Sequence, residues 1–210
     1  VIWFRVRVEG VPVHVREAGA GANAIEAAYE LIRGLRGLEE EWNARKGDHR
    51  HFEDLDHPIN FNVGKIVGGD WASSVPAWCE FDCRIAIYPG TRAEDAAREI
   101  ETHLRRVSDG IPFLANNPPQ VIFNGFFAEG YVLEEGSAAE ETLTRAHMAS
   151  YRKPLESFVT PGYLDGRVFV IYGETPLYLE NGYTAGGTAA PVYLDAYGNL
   201  NDGYASGWYV

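Results

Sequence analysis

Residues 73–90, SSVPAWCEFDCRIAIYPG, alternate between apolar and polar side chains and end in a Pro-Gly turn. A period of two is typical of a β-strand that buries one face and leaves the other open. The face predicted to be buried carries Ala77, Cys79, Phe81, Cys83, Ile85 and Ile87. The opposite face carries Trp78, Glu80, Asp82, Arg84 and Tyr88. This stretch therefore predicts a strand in a sheet whose open face is polar.

Three other segments are predicted to be strands of the same sheet. Residues 2–9 show the same alternation, and residues 59–69 and 120–127 are apolar runs bounded by glycine, proline or asparagine. Such boundaries are typical of strand ends. Together with the first stretch they make four strands.

Two helices are predicted by capping signals that precede apolar residues at helical spacing. Asn23 with Glu26 begins a helix of about four turns, over residues 23–38. Thr91 with Glu94 is predicted to form a second capping box, before an amphipathic helix that reaches Val107.

The predicted elements follow the order strand, helix, strand, strand, helix, strand. That order is typical of the ferredoxin-like α+β fold, a four-stranded antiparallel sheet with two helices on one face. We expect this domain to span residues 1–126. Residues 127–210 are expected to form a partial α/β segment, with a helix at 137–150, strands at 167–173 and 176–180, and a Gly/Tyr-rich tail from about 182.

Residues 40–58 are charged and aperiodic, so they are predicted to form a loop. Its centre carries histidines and carboxylates: Asp48, His49, His51, Glu53, Asp54, Asp56 and His57. Imidazole and carboxylate groups suit zinc or nickel, so this loop is a candidate metal site. The alternative is a solvated charged loop, since a mobile loop rarely holds tetrahedral geometry.

The overall charge limits the classes of partner. The chain has 30 acidic and 18 basic residues and a formal net charge of −12. Such a field repels nucleic-acid phosphates and anionic lipid surfaces, so we expect neither nucleic acid nor membrane as a partner. No apolar run approaches the ~20 residues of a membrane helix, and nothing resembles a signal peptide, so a cytoplasmic location is expected. The chain begins inside an alternating run, which suggests a fragment or a processed protein.

The two cysteines, Cys79 and Cys83, lie on one face of the predicted strand. At ~3.3 Å per residue they are roughly 13 Å apart, beyond the ~7 Å that a disulfide allows between Cα atoms. We interpret them as small buried side chains in a reducing compartment.

Two charged or titratable residues are the best candidates for chemistry. His14 stands between a strand and a glycine-rich run, and Arg84 lies on the open face of the sheet. Arg84 could be half of a surface ion pair with Asp82, or it could bind a carboxylate with its two-pronged guanidinium group.

Several motifs together resemble a known family. They are GVPVH at 10–14, GANAI at 21–25, NFNVGKIVGG at 60–69 and SVPAWCEFDCRI at 74–85 followed by Pro-Gly. Across residues 3–126 their order and spacing are similar to the lid, or dimerisation, domain of the zinc-dependent amidohydrolases and peptidases. This family includes acetylornithine deacetylase, succinyl-diaminopimelate desuccinylase, aminoacylase and the glutamate carboxypeptidases. Residues 164–176, LDGRVFVIYGETP, resemble the segment where the chain returns to the family's catalytic domain.

The resemblance implies roles for individual residues. The family's histidine at the position of His14 reaches across the dimer and helps to polarise the scissile amide carbonyl. The strand arginine matched by Arg84 binds the substrate carboxylate. Ser74 stands where the family has a substrate-contacting asparagine, and Asp165 and Arg167 fall in the D-G-R segment, to which substrate contact is also assigned.

The resemblance also implies a cofactor and a partner. The complete family enzyme holds two zinc ions, through ligands that would lie mainly before Val1 and through a last histidine near the C-terminus. No histidine follows His147, so we expect no zinc on this chain alone. A homodimer is expected through the 23–38 helix and the strand after the 48–57 loop.

Two interpretations follow. In the first, the chain is part of a metal-dependent amidohydrolase that cleaves an N-acyl amino acid or a small peptide. In the second, it is a non-catalytic dimerisation or small-ligand-binding module that lacks the metal site.

Overall fold

The structure, a computed structural model, describes residues 1–132, 135–156, 178–179 and 183–184. The chain divides into two compact units, Val1–Glu129 and Gly130–Val210. The boundary of the first unit falls three residues after the one expected from the sequence.

The first unit contains a four-stranded antiparallel sheet and two long helices. Its elements are β1 (Ile2–Glu9), α1 (Ala24–Asn43), β2 (Phe61–Gly68), β3 (Trp78–Ile85), α2 (Ala93–Asp109), α3 (Pro112–Asn116) and β4 (Gln120–Ile122), with 3-10 turns at Val15–Ala20 and Lys46–Asp48. The strand order is β2-β3-β1-β4, and every neighbouring pair is antiparallel. The ferredoxin-like α+β prediction is therefore confirmed.

The core lies between the sheet and the helices. The inward faces of β1 and β3 are completely buried or nearly so, and Val6 pairs with Phe81 at the centre of the sheet. Leucines 31, 35 and 38 of α1 are fully buried against this layer. The alternation and the helical spacing in the sequence both arise from this single apolar contact.

Helix α1 is longer than predicted, and residues 40–43 are helical rather than loop. Trp42 continues the apolar stripe one turn beyond Leu38 and is buried. The Asn43 amide donates to the carbonyl oxygens of Glu39 and Ile59 and accepts from the Ile59 N–H, which fixes the last turn. Buried contacts thus extend the helix into a segment of charged sequence.

The two predicted N-caps have different outcomes. Asn23 caps α1 as predicted, since its side-chain oxygen accepts from the N–H groups of Ile25 and Glu26. The capping box at Thr91 is wrong: the N-cap of α2 is Arg92, whose side chain makes no capping bond. The carboxylate of Glu129 instead accepts from the Ala93 N–H at 3.1 Å.

Strand β4 is shorter than the predicted 120–127. The chain leaves the sheet after Ile122 and returns where the Trp3 N–H donates to the Phe126 carbonyl. Gly125 lies against the Trp3 ring, and a Cβ there would stand 2.7 Å from it. The close approach requires glycine at this position.

The second unit contains α4 (Ala138–Tyr151), capped by Ser137, and a hairpin of β5 (Tyr178–Leu179) and β6 (Tyr183–Thr184). The helix predicted at 137–150 is confirmed. The strand predicted at 167–173 and the tail from 185 lie outside the described residues. Within the described part of the chain, no helix is long and apolar enough to cross a membrane.

Candidate functional site

His14 lies on a small paired segment at one end of the sheet. Residues 13–15 run antiparallel to residues 73–75: the Val15 N–H donates to the Ser73 carbonyl at 2.9 Å and the Val75 N–H to the Val13 carbonyl at 2.8 Å. His14 and Ser74 are bridge partners between these two bonds. We call residues 13–15 and 73–75 the His14 arm. The structure therefore brings together two of the residues that the sequence singled out.

The imidazole of His14 is exposed, and one hydrogen bond defines its tautomer. Its Nδ1 atom accepts from the backbone N–H of Arg16 at 3.1 Å. Because a backbone N–H can only donate, Nδ1 must be unprotonated, and the neutral ring carries its proton on Nε2. His14 thus presents an N–H donor to any group beside the arm.

Ser74 has less capacity than His14 to donate a hydrogen bond to a ligand. Its hydroxyl donates to the carbonyl oxygen of Trp71 at 3.1 Å, and its backbone N–H donates to the same oxygen. With that proton engaged inside the loop, the hydroxyl can offer only lone pairs to a ligand. An asparagine amide at this position could donate and accept, so the serine changes what this site can recognise.

Arg84 lies on the open face of the sheet, between Trp3 of β1 and Asn62 of β2. Its expected ion-pair partner, Asp82, is bound by another arginine: Arg5 donates to its two oxygens at 2.7 and 3.0 Å. The Arg5 hydrogen bonds hold the pKa of Asp82 below its usual value despite partial burial.

The third arginine of the open face, Arg7, is also paired. Arg7 donates to Glu80 and to Glu9. Among the described residues of this face, Arg84 is the arginine that has no carboxylate partner. The ion-pair alternative for Arg84 with Asp82 is therefore wrong, because Arg5 binds Asp82 and no described carboxylate pairs with Arg84.

His14 and Arg84 lie at opposite ends of the sheet. The end of β3 nearest the His14 arm is Trp78, paired with Glu9, whereas Arg84 pairs with Trp3 near the start of β1. Trp78 and Arg84 are six positions apart, about 20 Å along an extended strand. One protomer does not bring these two side chains together.

The other predicted substrate-contacting residues, Asp165 and Arg167, lie outside the described residues.

The histidines of residues 48–57 point to different partners. The His49 ring stacks on Tyr88 with centroids 3.8 Å apart, and His57 Nε2 lies 3.2 Å from a carboxylate oxygen of Glu39. Across residues 1–132, 135–156 and the short hairpin, no three His, Cys, Asp or Glu side chains form a group that could hold a metal ion. These residues do not fit a zinc centre.

A buried carboxylate next to this loop was missed by the sequence analysis. Glu39 is only 5% exposed, and it accepts from the Phe61 N–H at 2.7 Å and from Arg36 at 2.9 Å. Burial raises its pKa, but these bonds and the contact with His57 outweigh burial and leave the pKa below the usual value. Glu39 therefore ties α1 to the first residue of the edge strand β2. The spacing from Leu35 through Leu38 to Trp42 was the signal that could have placed Glu39 in the helix.

Comparison with known proteins supplies the context for this site. The model of the M20 peptidase dimerisation domain matches residues 1–111. A curated relative is the N-formyl-4-amino-5-aminomethyl-2-methylpyrimidine deformylase of Halalkalibacterium halodurans, 25% identical over 162 residues, which cover 73% of this chain and 37% of the relative. Another is the acetylornithine deacetylase of Erwinia tasmaniensis, 34% identical over 90 residues, or 43% of this chain and 23% of the relative. The chain thus spans less than two fifths of the length of these relatives.

Solved structures share the fold at low sequence identity. The aminopeptidase PepT of Bacillus cereus superposes with a TM-score of 0.56 at 15% identity, over 82% of this chain and 41% of that protein. A tripeptidase of Staphylococcus aureus gives a TM-score of 0.58 at 12% identity, over 82% and 40% of the two chains.

Proposed function

Because the chain belongs to the family of M20 peptidase dimerisation domains, we propose that it forms the dimerising lid of a metal-dependent hydrolase. The bond cleaved is the amide of an N-acyl amino acid or a small peptide. The observation that carries the proposal is Arg84 on the open face, whose guanidinium group has no carboxylate partner among the described residues. The exposed ring of His14, with its Nε2–H donor, adds to it.

His14 supplies a hydrogen-bond donor to the carbonyl oxygen of the scissile amide. As water adds to the carbonyl carbon, negative charge develops on that oxygen, and a fixed N–H donor stabilises the charged form more than the ground state. The Arg16 N–H keeps Nδ1 unprotonated and therefore keeps the proton on Nε2, where the substrate needs it.

Arg84 binds the carboxylate of the substrate. A guanidinium group donates two parallel hydrogen bonds to a carboxylate, which fixes both the position and the orientation of the acid. Arg5 and Arg7 cannot take this role because Asp82, Glu80 and Glu9 already bind them.

The two residues reach one substrate only if they come from different protomers. An extended N-acyl amino acid is about 7 Å long at ~3.5 Å per residue, whereas His14 and Arg84 are separated by at least the length of β3 within one chain. A two-fold dimer lets His14 of one protomer meet the site that contains Arg84 of its partner.

The dimer is proposed to form through β2 and α1. Strand β2 is an edge of the sheet, and Ile66 and Val67 on it are 42% and 41% exposed. Tyr29 of α1 is also exposed, at 55%. Helix α1 contacts β2 and β3, so it lies on the same side as this edge. Pairing two such edges satisfies their backbone groups and covers the apolar side chains.

The proposal includes two zinc ions in the complete enzyme and a cytoplasmic location. Since the described residues do not fit a metal centre, the ligands are assigned to other parts of the enzyme. The two cysteines are free and buried, which is compatible with a reducing compartment.

A complementation experiment tests the proposal in the complete enzyme that contains this chain. His14→Ala and Arg84→Ala variants are each purified, shown to be folded, and assayed on N-formyl and N-acetyl amino acids. Each variant alone should be strongly impaired. After subunit exchange, half of the dimers should be mixed, each with one intact site, which restores about a quarter of wild-type activity.

Other results have clear meanings. Absence of hydrolysis by the wild-type enzyme would refute the hydrolase assignment. No recovery after confirmed exchange would show that one protomer supplies both residues to a given site, which would refute the shared site. Mixing two preparations of His14→Ala is the matched control and should recover nothing.

A further inference from the structure

Trp71 is an exposed tryptophan that contacts the ring of His14. It lies in the turn between β2 and the His14 arm and is 65% exposed. The two ring centroids are 6.3 Å apart at an interplanar angle of 65°, an edge-to-face arrangement. Aromatic pairs favour this geometry because the edge of one ring meets the electron-rich face of the other.

The hydrogen bond from Arg16 does not by itself fix the imidazole. A single bond at Nδ1 fixes one ring atom, but it lets the ring tilt about that contact. The Trp71 ring lies beside the imidazole, where its bulk stands in the way of such a tilt. Because the Nδ1 bond requires the ring to keep its orientation, a group that opposes the tilt also favours the tautomer with the proton on Nε2.

The backbone couples Trp71 to the arm that carries His14. The Trp71 carbonyl oxygen accepts from both the N–H and the hydroxyl of Ser74. Ser74 is the bridge partner of His14. The closed turn that carries Trp71 is therefore hydrogen-bonded to the segment that carries His14.

We propose that Trp71 is a positioning residue for His14: its indole holds the imidazole in the orientation that keeps Nε2–H available as a donor. This inference rests on the proposed role of His14 and adds a residue to that site. The core does not account for a tryptophan here, because most of the side chain is in contact with solvent.

The first experiment observes His14 directly in this chain and needs no activity. Long-range ¹H–¹⁵N spectra of the histidine rings distinguish the two neutral tautomers. The wild-type chain and Trp71→Phe should show His14 with Nε2 protonated. Trp71→Leu should show a mixture of tautomers, and Val15→Ala, an exposed change on the same arm, should match the wild type. An unchanged tautomer in Trp71→Leu would overturn the proposal.

The second experiment is a double-mutant cycle in the complete enzyme. Its substrate is the N-formyl or N-acetyl amino acid that the wild-type enzyme hydrolyses with the highest kcat/KM. Trp71→Leu should lower kcat about ten-fold, with KM within two-fold, and Trp71→Phe should restore most of the loss. In a His14→Ala background, Trp71→Leu should cost nothing further. An equal loss in both backgrounds would show that Trp71 acts independently of His14 and would overturn the proposal. Absence of wild-type hydrolysis would refute the hydrolase function, and the spectra would still decide the role of Trp71.

Discussion

Replacing Arg84 with lysine should reduce catalysis and leave the fold intact. Lysine keeps the positive charge but cannot donate two parallel hydrogen bonds to a carboxylate. Loss of one charge-assisted hydrogen bond costs about 1.5–3 kcal/mol, which corresponds to a fall in kcat/KM of about ten- to a hundred-fold. Because Arg84 has no carboxylate partner among the described residues, the free energy of unfolding should change by less than about 0.5 kcal/mol.

Arg5 provides the matched control for this prediction. It lies on the same open face, one strand away, and Arg5→Lys removes the two-pronged contact with Asp82. The control should therefore lower the free energy of unfolding measurably and leave kcat/KM within two-fold. The two arginines are expected to show opposite patterns of effect.

The assay measures both quantities for both variants. Steady-state kinetics of the complete enzyme on N-acyl amino acids give kcat/KM, and urea unfolding followed by circular dichroism gives stability. A substrate analogue in which an amide replaces the carboxylate should remove the difference between wild type and Arg84→Lys. Unchanged kcat/KM in Arg84→Lys, or an equal loss in Arg5→Lys, would refute the assignment of Arg84 to the carboxylate.

Three further predictions concern Glu39, the dimer and the metal content of the chain. Glu39→Gln should lower the free energy of unfolding by about 2–4 kcal/mol near neutral pH, because it breaks buried hydrogen bonds of a carboxylate, whereas the exposed Glu40→Gln should have little effect. Since the fold lowers the pKa of Glu39, its stabilisation is complete above the usual glutamate pKa of about 4.3 and is lost as the pH falls through the lower folded value. The urea midpoints of wild type and Glu39→Gln should therefore converge in acid. A constant difference between the two midpoints would contradict this prediction. Light scattering should show a dimer of the 23.3 kDa chain, and Ile66→Lys with Val67→Lys should convert it to a monomer; a wild-type monomer at tens of micromolar would argue against the β2 edge. Elemental analysis after dialysis should find well under one zinc per chain, and a stoichiometric amount would restore residues 48–57 as a metal site.

The sequence predicted β1 and β3 because local alternation defines these two strands. Burial on one face imposes a period of two on residues 78–85, and this period is visible without any knowledge of the partner strand. The cap at Asn23 was also predictable, since its hydrogen bonds reach only Ile25 and Glu26. Features formed between near neighbours in the chain could therefore be predicted from the sequence.

Features formed between distant residues were not accessible. Asp82 lies two positions before Arg84 on the same face, so the sequence suggested an ion pair, yet Asp82 pairs with Arg5, 77 positions away. Strand register decides this choice, and no local pattern encodes it. Distance along the chain also explains why Glu129 replaces the expected cap of α2, and why the contact between His14 and Trp71 was not foreseen.

The roles proposed for His14 and Arg84 make dimerisation a condition of catalysis. His14 projects from the end of the sheet where β1 finishes, and Arg84 lies near the end where β1 begins. In the proposed site, a single lid therefore offers a substrate either the donor for its carbonyl or the guanidinium group for its carboxylate. If the site takes one group from each protomer, a change at the β2 edge that separates the subunits removes the donor without touching His14. Activity of the edge variants should then fall in proportion to the fraction of dimer at each concentration, and a fully active monomer would require His14 and Arg84 to act in one chain.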